Sequence, residues 1–255
     1  MNGAFYIGAA GLSAEERALE VIANNITNIN TTGFKRSEVT FSSLVSPIAP
    51  ADAPLVGQTG GSPNGVMVGA APVVFSEGPL QQTGKPLDLA IDGPGFLELM
   101  GPGGQSLLWR GGSLMVNTDG YLTAPNGMPL KAMISVPQGT SAIAIGSDGK
   151  VQALIGADTT PTVIGQIDLV TDKDLTTLTA LNGGLYQAEN AADLTTATPG
   201  EDGAGLLAAG QLEGSNVQLS DEMTTMMLLE RAYGANAQVV QAGDQLMAIA
   251  NNLKR

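Results

Sequence analysis

Leu228, Ala232, Ala235, Val239, Ala242, Leu246, Ile249 and Leu253 alternate steps of four and three without a break. That spacing predicts a C-terminal helix with one continuous apolar face of the coiled-coil kind. Met226, Tyr233, Val240 and Met247, seven apart, form a second apolar row beside it. Ser220 supplies a cap, Asp221 and Glu222 match the dipole at the helix start, and Lys254 and Arg255 match it at the far end. Gly234 and Gly243 each weaken the helix by about 1 kcal/mol relative to alanine, and small residues also permit close helix packing. A face of Ala, Val, Leu and Ile has to be covered by the other end of the chain, by its middle, or by other chains.

The N-terminus carries a similar pattern. Phe5, Ala9, Leu12, Leu19, Ala23 and Ile26 keep the four-and-three spacing, interrupted at Glu16. The pattern predicts a helix of roughly 25 residues, although Ser13 with Glu16 could also cap a helix starting there. Residues 24–36, NNITNINTTGFKR, then crowd amides and hydroxyls where the helix should finish. Such side chains bond to nearby backbone and favour helix ends and turns.

Between the two stripes the pattern changes to short strands. Residues 46–65 are rich in Pro, Gly and Ala and read as a loop or linker. From 66 to 190, runs such as LDLAI, GFLELM and TVIGQIDLV read as strands, and Asp119-Gly120 and Asp148-Gly149 mark hairpins. Residues 191–205 read as a turn-rich connection. The fold class is therefore α+β, with terminal helices and a mainly β centre.

Composition removes most chemistry. The 255 residues contain no Cys and no His, which excludes thiol nucleophiles, imidazole bases and the usual zinc sites. A net charge of -13 argues against nucleic acid as a partner. No apolar run reaches the roughly 18 residues that a membrane span needs. The first residues carry no base before Arg17, a poor match to a Sec signal. Asp88 and Asp92 flank three apolar residues, and alternation would put both on one strand face, so an acid/base pair is one reading. A solvated strand face and a turn acid before Gly93 is the plainer one. No cofactor, metal or catalytic set is expected.

Three ordered stretches resemble the bacterial flagellar rod and hook protein family. The first is Ala23-Asn24-Asn25-Ile26-Thr27-Asn28 through Thr32-Gly33-Phe34-Lys35. The second is Leu87-Asp88-Leu89-Ala90-Ile91-Asp92-Gly93-Pro94-Gly95-Phe96. The third comprises Gly203-Ala204-Gly205-Leu206-Leu207, Glu213-Gly214-Ser215-Asn216-Val217 and Glu230-Arg231-Ala232-Tyr233. The resemblance covers nearly the whole chain. It is closer to the distal-rod pattern at Gly33–Arg36 and Gly203–Leu207, and as close to the proximal-rod pattern at Leu212–Val217.

The resemblance implies a structural axial subunit of the basal-body rod that transmits torque, with no enzymatic role. The terminal segments, 1–35 and 215–255, would form a coiled-coil inner layer. Residues 36–65 would be a linker and 66–214 an outer β domain. Partners would be other copies, neighbouring rod and hook proteins and the flagellar export apparatus, with no small-molecule substrate and no membrane insertion. The subunit would span the periplasm after export without a cleaved Sec signal. The expected assembly residues are Leu12, Leu19, Asn24, Asn25, Ile26 and Asn28 at one end. At the other they are Leu228, Ala232, Tyr233, Val239, Leu246 and Ile249. A self-contained extracellular binding module, with its helices packed together as a stalk, is the alternative from another class.

Overall fold

The computed structural model describes residues 2–45, 63–69, 71–156 and 160–252. Leu253, Lys254, Arg255 and most of the 46–65 segment lie outside these. The chain is α+β, with a helix at each end and a mainly β central region. Its contacts divide it into two units. One is built from residues of 1–27, 37–72 and 218–255, the other from 28–36 and 73–217.

The first unit contains α1 (Asn2–Thr27), the strands β1 (Phe41–Val45) and β2 (Pro63–Val68), and α2 (Leu219–Asn252). α1 starts ahead of Ser13, so Ser13 and Glu16 are interior positions and not a cap. Ser220 likewise lies inside the first turn of α2, where its carbonyl accepts from the Thr224 hydroxyl. β1 and β2 pair antiparallel, Phe41 opposite Val68, within and just beyond the 36–65 span.

α1 and α2 run antiparallel. Gly8 lies beside Val240, Gly11 beside Asn236, and Asn25 beside Glu222. A Cβ at Gly8 would sit 2.8 Å from Val240 Cγ2, and one at Gly11 2.9 Å from Asn236 Nδ2. Small residues on α1, and not Gly234 or Gly243 on α2, thus permit the close approach; a Cβ at either α2 glycine would meet open space. The buried side of α1 carries Gly8, Ala14, Glu15, Ala18, Ile22 and Asn25. That row is offset by about one position from the Leu12–Leu19–Ile26 stripe, which is half-buried. On α2 Met226 and Val240 of the second row are half-buried, while Tyr233 of the same row is exposed. The backbone approach that glycine allows outweighs the larger side chains in choosing the face. Glu15 joins this packing: its Oε1 accepts from Asn236 Nδ2 at 2.8 Å.

The second unit is built from antiparallel strands. In chain order they are β3 (Leu80–Gln82), β4 (Asp88–Asp92), β5 (Phe96–Met100), β6 (Ser106–Trp109), β7 (Gly111–Ser113), β8 (Met115–Val116) and β9 (Leu122–Thr123). Then follow β10 (Thr140–Ile145), β11 (Lys150–Ile155), β12 (Thr162–Gln166), β13 (Leu169–Asp172), β14 (Thr179–Leu181), β15 (Leu185–Gln187), β16 (Leu194–Ala197), β17 (Leu206–Ala209) and β18 (Gln211–Glu213). The largest sheet has the order β14-β15-β6-β5-β13-β16. Asp119-Gly120 turns β8 into β9, and Asp148-Gly149 turns β10 into β11, as the sequence predicts. The 191–205 stretch is not merely a connection, because β16 within it completes the large sheet against β13. The core gathers Leu89, Ile91, Leu97, Leu99, Leu122 and Leu169, all fully buried. Beside it Phe75, Phe96 and Tyr186 meet edge to face at 5.0–5.8 Å. Aliphatic residues thus fill most of the interior, and buried Phe96 and Tyr186 share one cluster with half-buried Phe75.

Gly8→Val is expected to force the helices of the first unit apart and cost about 1–3 kcal/mol. Gly234→Ala, with open space around its Cβ, is expected to stabilise α2 by about 1 kcal/mol. Denaturant unfolding followed by the helical circular-dichroism signal checks both. Equal effects of the two changes would contradict the assigned packing face.

Candidate functional site

Within the second unit the three sequence motifs converge on one buried ion cluster. Glu213, at the end of β18, is 2% exposed. Its Oε1 accepts from Lys35 Nζ at 2.5 Å and from the Gly78 amide at 3.0 Å. Arg110, at the junction of β6 and β7, donates from Nε to Glu213 Oε2 at 3.2 Å. The rest of the Arg110 guanidinium is taken up by the carbonyls of Gly95 at 2.7 Å, Gly93 at 3.1 Å and Ile91 at 3.4 Å. It also lies 5.7 Å from the centre of the Phe96 ring, within cation–π range. The N-terminal, central and C-terminal motifs are therefore joined by two cations and one carboxylate.

Desolvation dominates the electrostatics here. Burial pushes the Lys35 ammonium below its ordinary value, against the support of Glu213. Burial alone would raise the Glu213 carboxyl. The Arg110 charge, with the Lys35 and Gly78 hydrogen bonds, holds it below its ordinary 4.5. Burial also lifts the Tyr186 phenol to about 12.

Neighbouring contacts extend the same seam. The Gly33 amide donates to the Glu213 carbonyl at 2.8 Å. Asn216 Oδ1 accepts from the Arg36 amide at 2.7 Å, while its Nδ2 donates to the carbonyls of Val74 and Ser76. At Gly205 the two later motifs touch through backbone alone. Its amide donates to the Pro94 carbonyl at 2.7 Å, and a Cβ there would lie 2.5 Å from the Asp92 carbonyl oxygen.

A second, smaller clamp lies wholly in the first unit. Asn25, 1% exposed, closes a two-way hydrogen bond with the backbone of Ser37. Its Nδ2 also reaches Glu222 Oε2 at 3.2 Å. One amide thus ties α1, the chain that returns at Ser37, and the first turn of α2. Among the other amides and hydroxyls of this stretch, Thr27 back-bonds to the Ala23 carbonyl, and Thr31 bonds Asn28. These local bonds compete with the helical ladder where α1 stops.

The remaining sequence-selected residues divide by exposure. Leu12, Leu19, Ile26, Asn28 and Ala232 are half-buried, and Asn24 is exposed. Leu228, Val239, Leu246 and Ile249 are 61%, 50%, 60% and 55% exposed, and Tyr233 is also exposed. Among the described residues the stronger stripe of the sequence is thus largely uncovered. Asp88 and Asp92 do not act together: Asp88 is buried and accepts from Ser113 Oγ at 2.6 Å, while Asp92 is exposed. Sequence reasoning did not select Arg110 and placed no partner beside Lys35 or Glu213. In a chain only 14% charged, an arginine between two strands was the available signal.

Three family models match the chain. "Flagella basal body rod protein" matches residues 5–35. "Flagellar hook protein FlgE/F/G D1 domain" matches 90–153, and "Flagellar basal body rod FlgEFG protein C-terminal" matches 208–253. The chain is 34% identical to flagellar basal-body rod protein FlgG of Bacillus subtilis and 32% identical to that of Borreliella burgdorferi, each over the full length of both chains. It is 31% identical to flagellar basal-body rod protein FlgF of Caulobacter vibrioides, over 94% of this chain and 93% of the relative.

Glu213→Gln removes the carboxylate that Lys35 and Arg110 share and is expected to cost about 3–5 kcal/mol. Lys35→Met leaves the one-to-one Arg110–Glu213 pair and should cost less. Chemical denaturation read by the fluorescence of Trp109, a core residue of this unit, separates the two. Because Glu213 titrates below 4.5, its contribution is present above that value and is lost as pH falls through its folded pKa. The acid limb of the stability curve should therefore flatten in Glu213→Gln.

Proposed function

The chain belongs to the flagellar basal-body rod protein family, and from that premise we propose that its terminal helices form the inner coiled-coil layer of a tubular rod. It is a structural, non-enzymatic rod subunit of the basal body, and the distal rod is favoured, given full-length similarity to relatives named FlgG. In this reading the helix segments 1–35 and 215–255 supply the subunit contacts and 66–214 the outer layer, joined by 36–65. The shaft passes torque from motor to hook and spans the periplasm. Copies of the chain and adjoining rod and hook proteins are its neighbours. The export apparatus delivers it without a cleaved Sec signal.

The observation that carries the inner-layer assignment is the uncovered stripe. Leu228, Val239, Leu246 and Ile249 remain exposed although α1 packs along α2. An apolar face left open after the intrachain helix pair has formed is a surface for other chains. Leu12, Leu19 and Ile26 offer a second such face, with Ala232 and Tyr233 adjoining the first. Asn24 and Asn28 sit where α1 ends and are assigned to subunit contact, whereas Asn25 acts from inside by fixing the clamp. A self-contained binding module would not require the α2 stripe to stay bare.

Val239→Asp places a charge mid-stripe on an exposed helix position, so both units should keep their monomer stability. Rod incorporation and motility should be lost. Normal motility in a strain relying on this variant would remove the stripe from the interface.

A further inference from the structure

We propose that Asn182 is a site of spontaneous deamidation, and that the fold protects the similar Asn126. Both residues precede a glycine in an exposed turn. Asn182-Gly183-Gly184 closes the hairpin between β14 and β15, with Leu181 opposite Leu185. Among the described residues the Asn182 carboxamide has no hydrogen-bond partner, and the Gly183 amide donates to none.

The Gly183 backbone nitrogen attacks Asn182 Cγ, forming a C–N bond, and the side-chain nitrogen leaves as ammonia. Water then opens the resulting succinimide at either carbonyl, giving aspartate or isoaspartate. The attacking nitrogen must first lose its proton, so the reaction accelerates with rising pH.

Asn126 differs on both counts. The Gly127 amide is engaged with the Ala124 carbonyl at 2.9 Å. Asn126 Oδ1 accepts from the Met128 amide at 3.0 Å, an Asx turn that holds the carboxamide in place. Attack there requires both bonds to break. The product at Asn182 carries a new negative charge, and isoaspartate adds a main-chain carbon to a three-residue turn. The hairpin affected forms the end of the six-stranded sheet, and β15 carries Tyr186 of the aromatic cluster.

The test incubates the folded full-length chain at mildly alkaline pH beside a urea-denatured sample. Peptide mapping by mass spectrometry follows amide-to-acid conversion at each site. In the folded chain Asn182 should convert several-fold faster than Asn126, and in the denatured chain the two rates should converge. An Asn182→Gln variant should lose the acid-shifted species whose mapped peptide contains position 182. The proposal is overturned if Asn126 converts as fast as Asn182 in the folded chain. Persistence of Asn182 in the folded chain while the denatured one loses it would overturn it equally.

Discussion

Three distant segments of the β-rich unit meet at one carboxylate. Glu213 is nearly inaccessible, and two cations from distant parts of the chain reach it. An isolated ionised group in such a place would be very costly. The cost is offset because Lys35, Arg110 and the Gly78 amide all donate to it, and because Arg110 is in turn saturated by carbonyls of the central motif. The arrangement is specific because each partner lacks a substitute. It requires the segments at 33–36, 91–95, 110 and 213–216 to be in place together. That accounts for three motifs widely separated in sequence occurring as a set in one chain.

The helical unit follows a different logic. Small residues on α1 allow its close intrachain approach to α2, and the unit's polar bonds include Asn25 to Ser37 and Glu222, and Asn236 to Glu15. The other carboxylate oxygen of Glu15 is buried and has no partner among the described residues. Such a pair is held mainly by close packing. Using the small-residue face of α1 inside the chain leaves the bulkier stripe of α2 exposed.

Much of the architecture was legible from residue spacing. Periodicity located both helices, and Asp119-Gly120 and Asp148-Gly149 located two hairpins, because helix and turn geometry are local properties. The absence of His and Cys bounded the chemistry before any fold was known. Periodicity did not identify which face of α1 meets α2. The apolar stripe runs through Leu12, Leu19 and Ile26, whereas the α1 positions that lie closest to α2 include Gly8 and Gly11. Nor did local pattern reveal β16, whose pairing partner β13 lies more than twenty residues earlier.

Residue order alone was enough for the two terminal helices, the β-rich centre and the exclusion of thiol and imidazole chemistry. Each depends on neighbours a few residues apart or on which residue types are present at all. Only the tertiary structure decided that Lys35, Arg110 and Glu213 share one site, that Asn25 is an internal tie, and that the α2 stripe stays bare. Those outcomes depend on desolvation and close packing between segments up to about two hundred residues apart, and no local pattern records which distant group will be there to meet a buried charge.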